Sequence, residues 1–315
     1  MNQNSQIAAH TQPHRRDVLK WGSVSALAAA AVPGKSLMGD ESKDGPWLRK
    51  TLKINMIKTK GGLVDKFRMA KDAGFDGVEL NTPGINIDEA KKAAAETGLI
   101  IDGTVGGYHW NQTHTNPKKE VRDAALSKLK QGLRETAAVG GESMLLVPGH
   151  GRDGSAAEVY ERALAAITEA LPVAEKVGVQ ILIENVWNHF LYDHGGGNDQ
   201  SAEPLAKFID AFGSPWVGVQ FDLGNHWKYG DVATWVRTLD HRIKKLDIKG
   251  FSRAENKFTK ITEGDIDWPS VEKALRDIKF TGWVAAEVGG GDLERLKEVA
   301  QHLEEALNCS KSVTG

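Results

Sequence analysis

The chain of 315 residues holds one cysteine, Cys309. That excludes an intrachain disulfide framework and a cysteine-built metal cluster, and it leaves Cys309 to be read as a helix-packing thiol. Neither charge dominates: 40 Lys and Arg against 42 Asp and Glu give a formal charge of −2. Without a basic footprint, nucleic acid is not an expected partner. The apolar stretch from Trp21 to Val32 is too short and too rich in alanine to span a bilayer comfortably. A dinucleotide fingerprint is missing as well, because GGLVDK at 61–66 lacks the GxGxxG spacing. No linker rich in Pro, Gly and Ser divides the chain. What is present is ordinary for a soluble globular protein, 40% hydrophobic and 26% charged, enough for one large core.

The first 40 residues read differently from the rest. Arg15, Arg16 and Lys20 precede the apolar stretch, and small residues follow it as a cleavage site needs. HRRDVLK resembles a twin-arginine export signal, with Val18 where that pattern more often has phenylalanine. The resemblance implies an exported, periplasmic protein that folds, with its cofactor, before transport. Residues 1–40 are therefore read as signal and linker. They hold four basic and two acidic residues, so their removal leaves −4, and no stable membrane insertion of the mature chain is expected.

From residue 50 onward, short apolar runs alternate with longer amphipathic ones. TLKINMI (51–57), GFDGVEL (74–80), LIIDGTV (99–105), SMLLVPGH (143–150), VQILIENVWN (179–188), WVGVQFD (216–222), RIKKLDIKG (242–250) and WVAAEV (283–288) predict eight strands. Helical patterns lie between them, as in IDEAKKAAAETG (87–98) and the long run 117–141 that starts at Pro117. Strands alternating with helices imply parallel pairing through crossovers. Eight units over residues 50–308 predict one closed (β/α)₈ TIM barrel, in the α/β class.

Chemistry in such barrels gathers at the C-terminal ends of the strands. Four consecutive strands end in an acid: Glu184 in ILIEN, Asp222 in VQFDLG, Asp247 in KKLDIKG and Glu287 in VAAEV. Each lies about one repeat from the next. Four carboxylates aimed at one opening repel one another and raise one another's pKa unless a cation joins them. A divalent metal resolves the conflict, and an all-oxygen set favours Mn²⁺ or Mg²⁺ over Zn²⁺.

At these residues the chain resembles the xylose isomerase-like barrel superfamily, in its sugar isomerase/epimerase branch that includes the ketose 3-epimerases. The resemblance implies one metal held by Glu184, Asp222, Asp247 and Glu287, with Glu184 and Glu287 also serving as the catalytic acid/base pair. It implies substrate contact by Arg253, at the branch's arginine offset in DIKGFSR, and matches EGDIDW (263–268) to a glycine-acid loop. Asp247 replaces the histidine usual in the family. Asn225 takes the histidine offset of D-x-x-H, with His226 one further on, and Phe190 stands where the epimerases carry a second glutamate.

The site predicts a metal-dependent isomerase or epimerase. A chelated sugar carbonyl acidifies the neighbouring C–H, a carboxylate takes the proton, and a metal-stabilised enediolate follows. Two alternatives share the barrel: a lyase acting on 3-keto-glycosides with the same metal and bases, and a non-catalytic sugar-binding barrel. A repair nuclease of the same superfamily is disfavoured by charge and export.

The partner is thus a small-molecule sugar, with a homo-oligomer left open. His109, His150, Asn225, His226 and Lys249 are candidates to bind it, with Arg253 and the aromatic faces of Trp110 and Trp187. Lys249, two residues past Asp247, shares its strand face and can neutralise the acids or polarise the substrate. The stretch 186–200, with three consecutive glycines, is a candidate lid.

Overall fold

The computed structural model describes residues 45–312. The twin-arginine segment lies outside them. Among the described residues, no helix is long and apolar enough to cross a membrane.

Eight parallel strands form the expected barrel: β1 (Leu48–Leu52), β2 (Gly77–Thr82), β3 (Ile100–Gly106), β4 (Ser143–Leu146), β5 (Gln180–Glu184), β6 (Val217–Asp222), β7 (Ile243–Ile248) and β10 (Gly282–Ala286). They pair in the order β1-β10-β7-β6-β5-β4-β3-β2. The two ends of that order, β1 and β2, meet through one isolated parallel bridge between Lys53 and Glu79. The sheet is therefore a nearly closed barrel with a seam.

Helices follow each strand on the outside: α1 (Leu63–Asp72), α2 (Ile87–Thr97), α3 (Lys119–Val139), α4 (Ala156–Val177), α5 (Glu203–Asp210), α6 (Leu223–Trp227) with α7 (Val232–Leu239), α8 (Trp268–Asp277) and α9 (Leu293–Leu307). Their apolar stripes turn inward. On α3 the buried positions Ala125, Leu129, Leu133 and Thr136 recur every three or four residues, as one helix face requires. Local chemistry sets the ends. Ser155 and Glu158 form a reciprocal capping box at the start of α4, and Gly178 ends it at φ 71°, a left-handed conformation that costs glycine no Cβ clash.

Two elements differ from the sequence expectation. Residues 54–56 form a 3₁₀ turn, and β1 begins at Leu48, three residues earlier than the TLKINMI run suggests. Between β7 and α8 a small antiparallel hairpin appears, β8 (Gly250–Ser252) with β9 (Lys257–Thr259), where the repeat pattern foresees only a loop. The barrel interior also departs from an apolar plug. Thr51, Glu79, Asp102, Gln220 and Lys245 are all buried inside it.

Candidate active site

Register places the acids. Asp222 and Asp247 are direct partners across β6 and β7. Glu184 closes β5, and Glu287 follows β10 with its amide donating to the Ile248 carbonyl at 3.0 Å. One oxygen from each of Glu184, Asp222, Asp247 and Glu287 lies within 4.8 Å of the other three. A hard cation binds oxygens at about 2.0–2.6 Å, so ligands on opposite sides of it stand about 4–5 Å apart. The four oxygens fit around one such ion. Three of the acids are buried and Glu287 is partly exposed, so the cluster opens on one side.

Backbone and amide groups hold this arrangement. The Asp222 carboxylate caps α6, its Oδ1 accepting the Asn225 amide at 2.8 Å. Asn185 donates from Nδ2 to the Asp222 carbonyl and accepts the Asp222 amide at Oδ1, both at 2.9 Å. Asn225 Nδ2 donates to the Asn185 carbonyl at 2.8 Å and approaches Glu184 Oε1 at 3.4 Å. His226 Nδ1 lies 3.1 Å from Asn185 Nδ2. Asn225 and His226 thus brace the acids, and burial pushes His226 down to about 3, which keeps it neutral.

Two ammonium groups enter the cluster. Lys249 Nζ bridges Asp222 Oδ2 at 2.8 Å and Glu287 Oε2 at 2.5 Å, the neutralising role its spacing allows. Lys53, from the end of β1, chelates both Asp247 oxygens at 2.8 and 3.0 Å and reaches Glu79 at 2.6 Å. Four carboxylates thus have two lysines between them, one of which is shared with Glu79, so the cluster carries more negative than positive charge. Glu184 has no ion-pair partner among the described residues.

The carboxyl groups register this deficit. Burial, then Glu287 and Asp247, push Glu184 well above the usual range. Burial also raises Asp222 well up and Asp247 to about 6, each only partly offset by its lysine. Glu287 goes the other way: burial would raise it, but Lys249 and Lys53 outweigh burial and hold it low. The two glutamates are therefore driven in opposite directions, the usual condition for separate acid and base roles.

Other expected residues are placed as follows. His109 is buried beside β3, its Nδ1 accepting the Val147 amide at 3.3 Å; burial brings it to about 3, with Lys53 and Glu287 near enough to act on it. Trp110 packs edge-on against His109 and is 56% exposed. Trp187 donates its indole N–H to the Asn225 carbonyl and stacks on Phe258. His150 accepts the Arg152 amide at 3.0 Å and stacks on His189, with no contact to the four acids among the described residues.

Arg253 spends its donors on carbonyls, Trp227 at 2.6 Å and Gly230 at 2.8 Å, and lies 3.6 Å over the Trp227 ring. It ties the chain after β8 to α6. Sequence reasoning missed Lys53, Asn185, Gln220, Lys245 and Phe258.

An eight-stranded βα barrel with a four-carboxylate mouth defines a class of fold and site. Residues 67–311 match the Xylose isomerase-like TIM barrel family, and the chain belongs to it. Its relatives include sugar epimerases and isomerases. A stretch of 87 residues is 34% identical to 3-dehydro-D-guloside 4-epimerase of Escherichia coli, covering 27% of this chain and 32% of that protein. The chain thus spans about a third of the length of that relative. Over 247 residues it is 21% identical to 2-oxo-tetronate isomerase of Pectobacterium atrosepticum, covering 74% of this chain and 89% of that one. Among solved structures, 3-keto-D-glucoside 4-epimerase from E. coli superimposes with a TM-score of 0.67 at 18% identity, over 83% of this chain and all of that one. L-ribulose 3-epimerase does so at 0.68 and 19%, over 84% and 95%. At these identities the superpositions show the fold.

Proposed function

We propose that the chain is a divalent-metal-dependent sugar isomerase or epimerase that moves a proton at the carbon beside a carbonyl. The observation that carries this reading is the convergence of four carboxylate oxygens within 4.8 Å, with more acids than lysines to balance them. Glu184, Asp222, Asp247 and Glu287 would hold the ion, and their all-oxygen chemistry suits Mn²⁺ or Mg²⁺. When bound, such an ion withdraws charge from a sugar carbonyl and its neighbouring hydroxyl and so acidifies the C–H beside them.

The protein's own groups carry the proton. Glu287, held as a carboxylate and open to one side, is the base. Glu184, the one acid of the four with no lysine partner among the described residues, is the second acid/base group and returns a proton. Removal by one and return by the other inverts a stereocentre, whereas a single carboxylate serving both steps gives aldose–ketose exchange. Lys249 keeps Glu287 charged, and neutral His109 and His226 line the surroundings as hydroxyl partners.

A second reading, elimination from a 3-keto-glycoside, draws support from two relatives named for 3-dehydro-guloside and 3-keto-glucoside substrates. The same proton abstraction would then expel the substituent two carbons from the carbonyl. Metal-loaded protein incubated in heavy water with free ketoses, aldoses and 3-keto-glycosides tests both readings. Deuterium entering the carbon beside the carbonyl is expected, and absence of exchange from every sugar would remove the proposal. Release of the aglycone would select elimination.

Export through the twin-arginine route belongs to the same proposal. Replacing Arg15 and Arg16 by lysine is expected to keep the protein out of the periplasmic fraction; unchanged fractionation would refute it.

A further inference from the structure

The hairpin β8–β9 has no part in the chemistry above, yet it stands beside it. Between the hairpin and the turn after β10 lies a cleft of about 600 Å³, within the ordinary range for small-molecule sites. Lys249 and Glu287 form part of its lining, and Phe258 with Thr259 forms another part. Whatever reacts at Glu287 therefore has this cleft as its neighbour.

Phe258 is the unusual member. Its ring is 45% exposed, one of three large apolar side chains so exposed among the described residues. Exposure alone would mean little, but this ring is fixed. It stacks on Trp187 at 5.0 Å and 28°, meets Phe251 edge-on at 5.4 Å, and carries Lys249 Nζ 5.1 Å from its centroid. A held aromatic that is part-exposed and lines a cleft offers apolar surface for contact, which suits the C–H faces of sugars and the edges or faces of aryl rings.

The opposite wall is shaped to leave room. A side chain at Gly290 would strike the Met56 carbonyl at 1.9 Å, which keeps that turn tight, while Gly289 faces open space within 4 Å. Lys260, Glu263 and Arg295 supply a polar rim.

We infer that this cleft receives a second ring carried by the reacting sugar, so that the substrate is a glycoside whose aglycone stacks on Phe258. This inference rests on the proposed function for the reacting ring and adds the class of substrate. The test uses the metal-loaded full chain and its Phe258→Ala and Phe258→Trp variants. Deuterium exchange is measured with free 3-keto-glucose and with phenyl 3-keto-glucoside.

The expected result is a kcat/KM about three- to tenfold higher for the phenyl glycoside in the parent chain, the gain an aromatic pair contributes. That ratio should fall toward one in Phe258→Ala, through KM, and be restored in Phe258→Trp. Equal kcat/KM for both sugars in the parent chain, or an unchanged ratio in Phe258→Ala, would overturn the inference.

Calorimetric titration with unoxidised phenyl glucoside, which cannot react, separates the two levels of argument. Binding that weakens in Phe258→Ala upholds the cleft even where no sugar exchanges deuterium, in which case the proposed chemistry alone fails. Binding that is absent, or equal in the two chains, removes the cleft assignment.

Discussion

Two tiers of buried acid share one barrel, and they are balanced differently. In the lower tier Glu79 and Asp102 flank Lys245, which is 2.8 Å from Glu79 and bonded to Asp102. Thr51 donates to Asp102 at 2.5 Å, and Gln220 Nε2 bridges Glu79 at 3.1 Å and Asp247 at 3.0 Å. Lysine overcomes burial so fully there that Glu79 is held down to about 2, while burial leaves Asp102 raised and ready to keep its proton. The upper tier has four acids and two lysines, with three of the four carboxyls raised. Proximity of buried charges is thus no sign of function by itself. What distinguishes the upper tier is an acid with no lysine partner among the described residues, Glu184, beside a partly exposed one, Glu287.

The sharpest way to break this contrast is to remove charges from each tier, acids from the upper and the lysine from the lower, and ask what is lost. Glu287→Gln and Glu184→Gln should each cut deuterium exchange by about 10²–10⁴-fold, the usual contribution of a positioned acid or base. Both variants should fold normally by circular dichroism, because Glu184→Gln removes a repelling charge and Glu287→Gln leaves Lys249 paired with Asp222. Lys245→Met should do the reverse. Stranding Glu79 and Asp102 without their ammonium costs about 3–5 kcal/mol, read from urea midpoints. Equal stability losses in Glu184→Gln and Lys245→Met would erase the distinction.

Metal sharpens it next. At a hundredfold excess over Kd, Mn²⁺ should stabilise the parent chain by about 2.7 kcal/mol. An Asp222→Asn, Asp247→Asn double variant should show no such gain by calorimetry, whereas Asp102→Asn should keep it.

The smallest effect is in pH. Asp247 titrates near 6 in the fold against 3.8 ordinarily, so the folded chain binds the extra proton and gains stability as pH falls from about 7 toward 4. Glu79 has the opposite sign. Its contribution is present above 4.5 and is lost as pH falls toward about 2. Metal-free protein should therefore have a urea midpoint that rises on mild acidification and collapses below about pH 4. Saturating Mn²⁺ should flatten the rise and leave the collapse.

Much of this was legible in the chain. Eight apolar runs at repeat spacing foretold the barrel, and the acids at the ends of four successive runs foretold the mouth, because strand ends in a barrel converge by construction. Lys53, Asp102 and Lys245 were harder to place. A charged residue inside a strand run reads as solvent-facing under a two-residue period, yet here the alternate face is the barrel interior. KKLDIK did carry the hint, since Lys245, Asp247 and Lys249 recur every second residue and share one face. The hairpin and Phe258 left no periodic trace at three residues per strand. Arg253 matched an offset, but offset fixes a position on the chain and not the direction of a guanidinium.

The seam between β1 and β2 gives the molecule a further property. A hoop of staves is only as firm as its last joint, and here that joint is one bridge between Lys53 and Glu79, whose side chains also clasp each other, with the Asp76 amide donating to the Lys50 carbonyl at 2.8 Å below it. The same ammonium is shared with Asp247, so the joint and the mouth compete for a single charge. A cation that took over Asp247 would release Lys53 to Glu79 and tighten the hoop, and by reciprocity a tighter hoop would hold its cation longer. Loading the mouth and fastening the staves would then be one event, read as slowed amide exchange at residues 53 and 79.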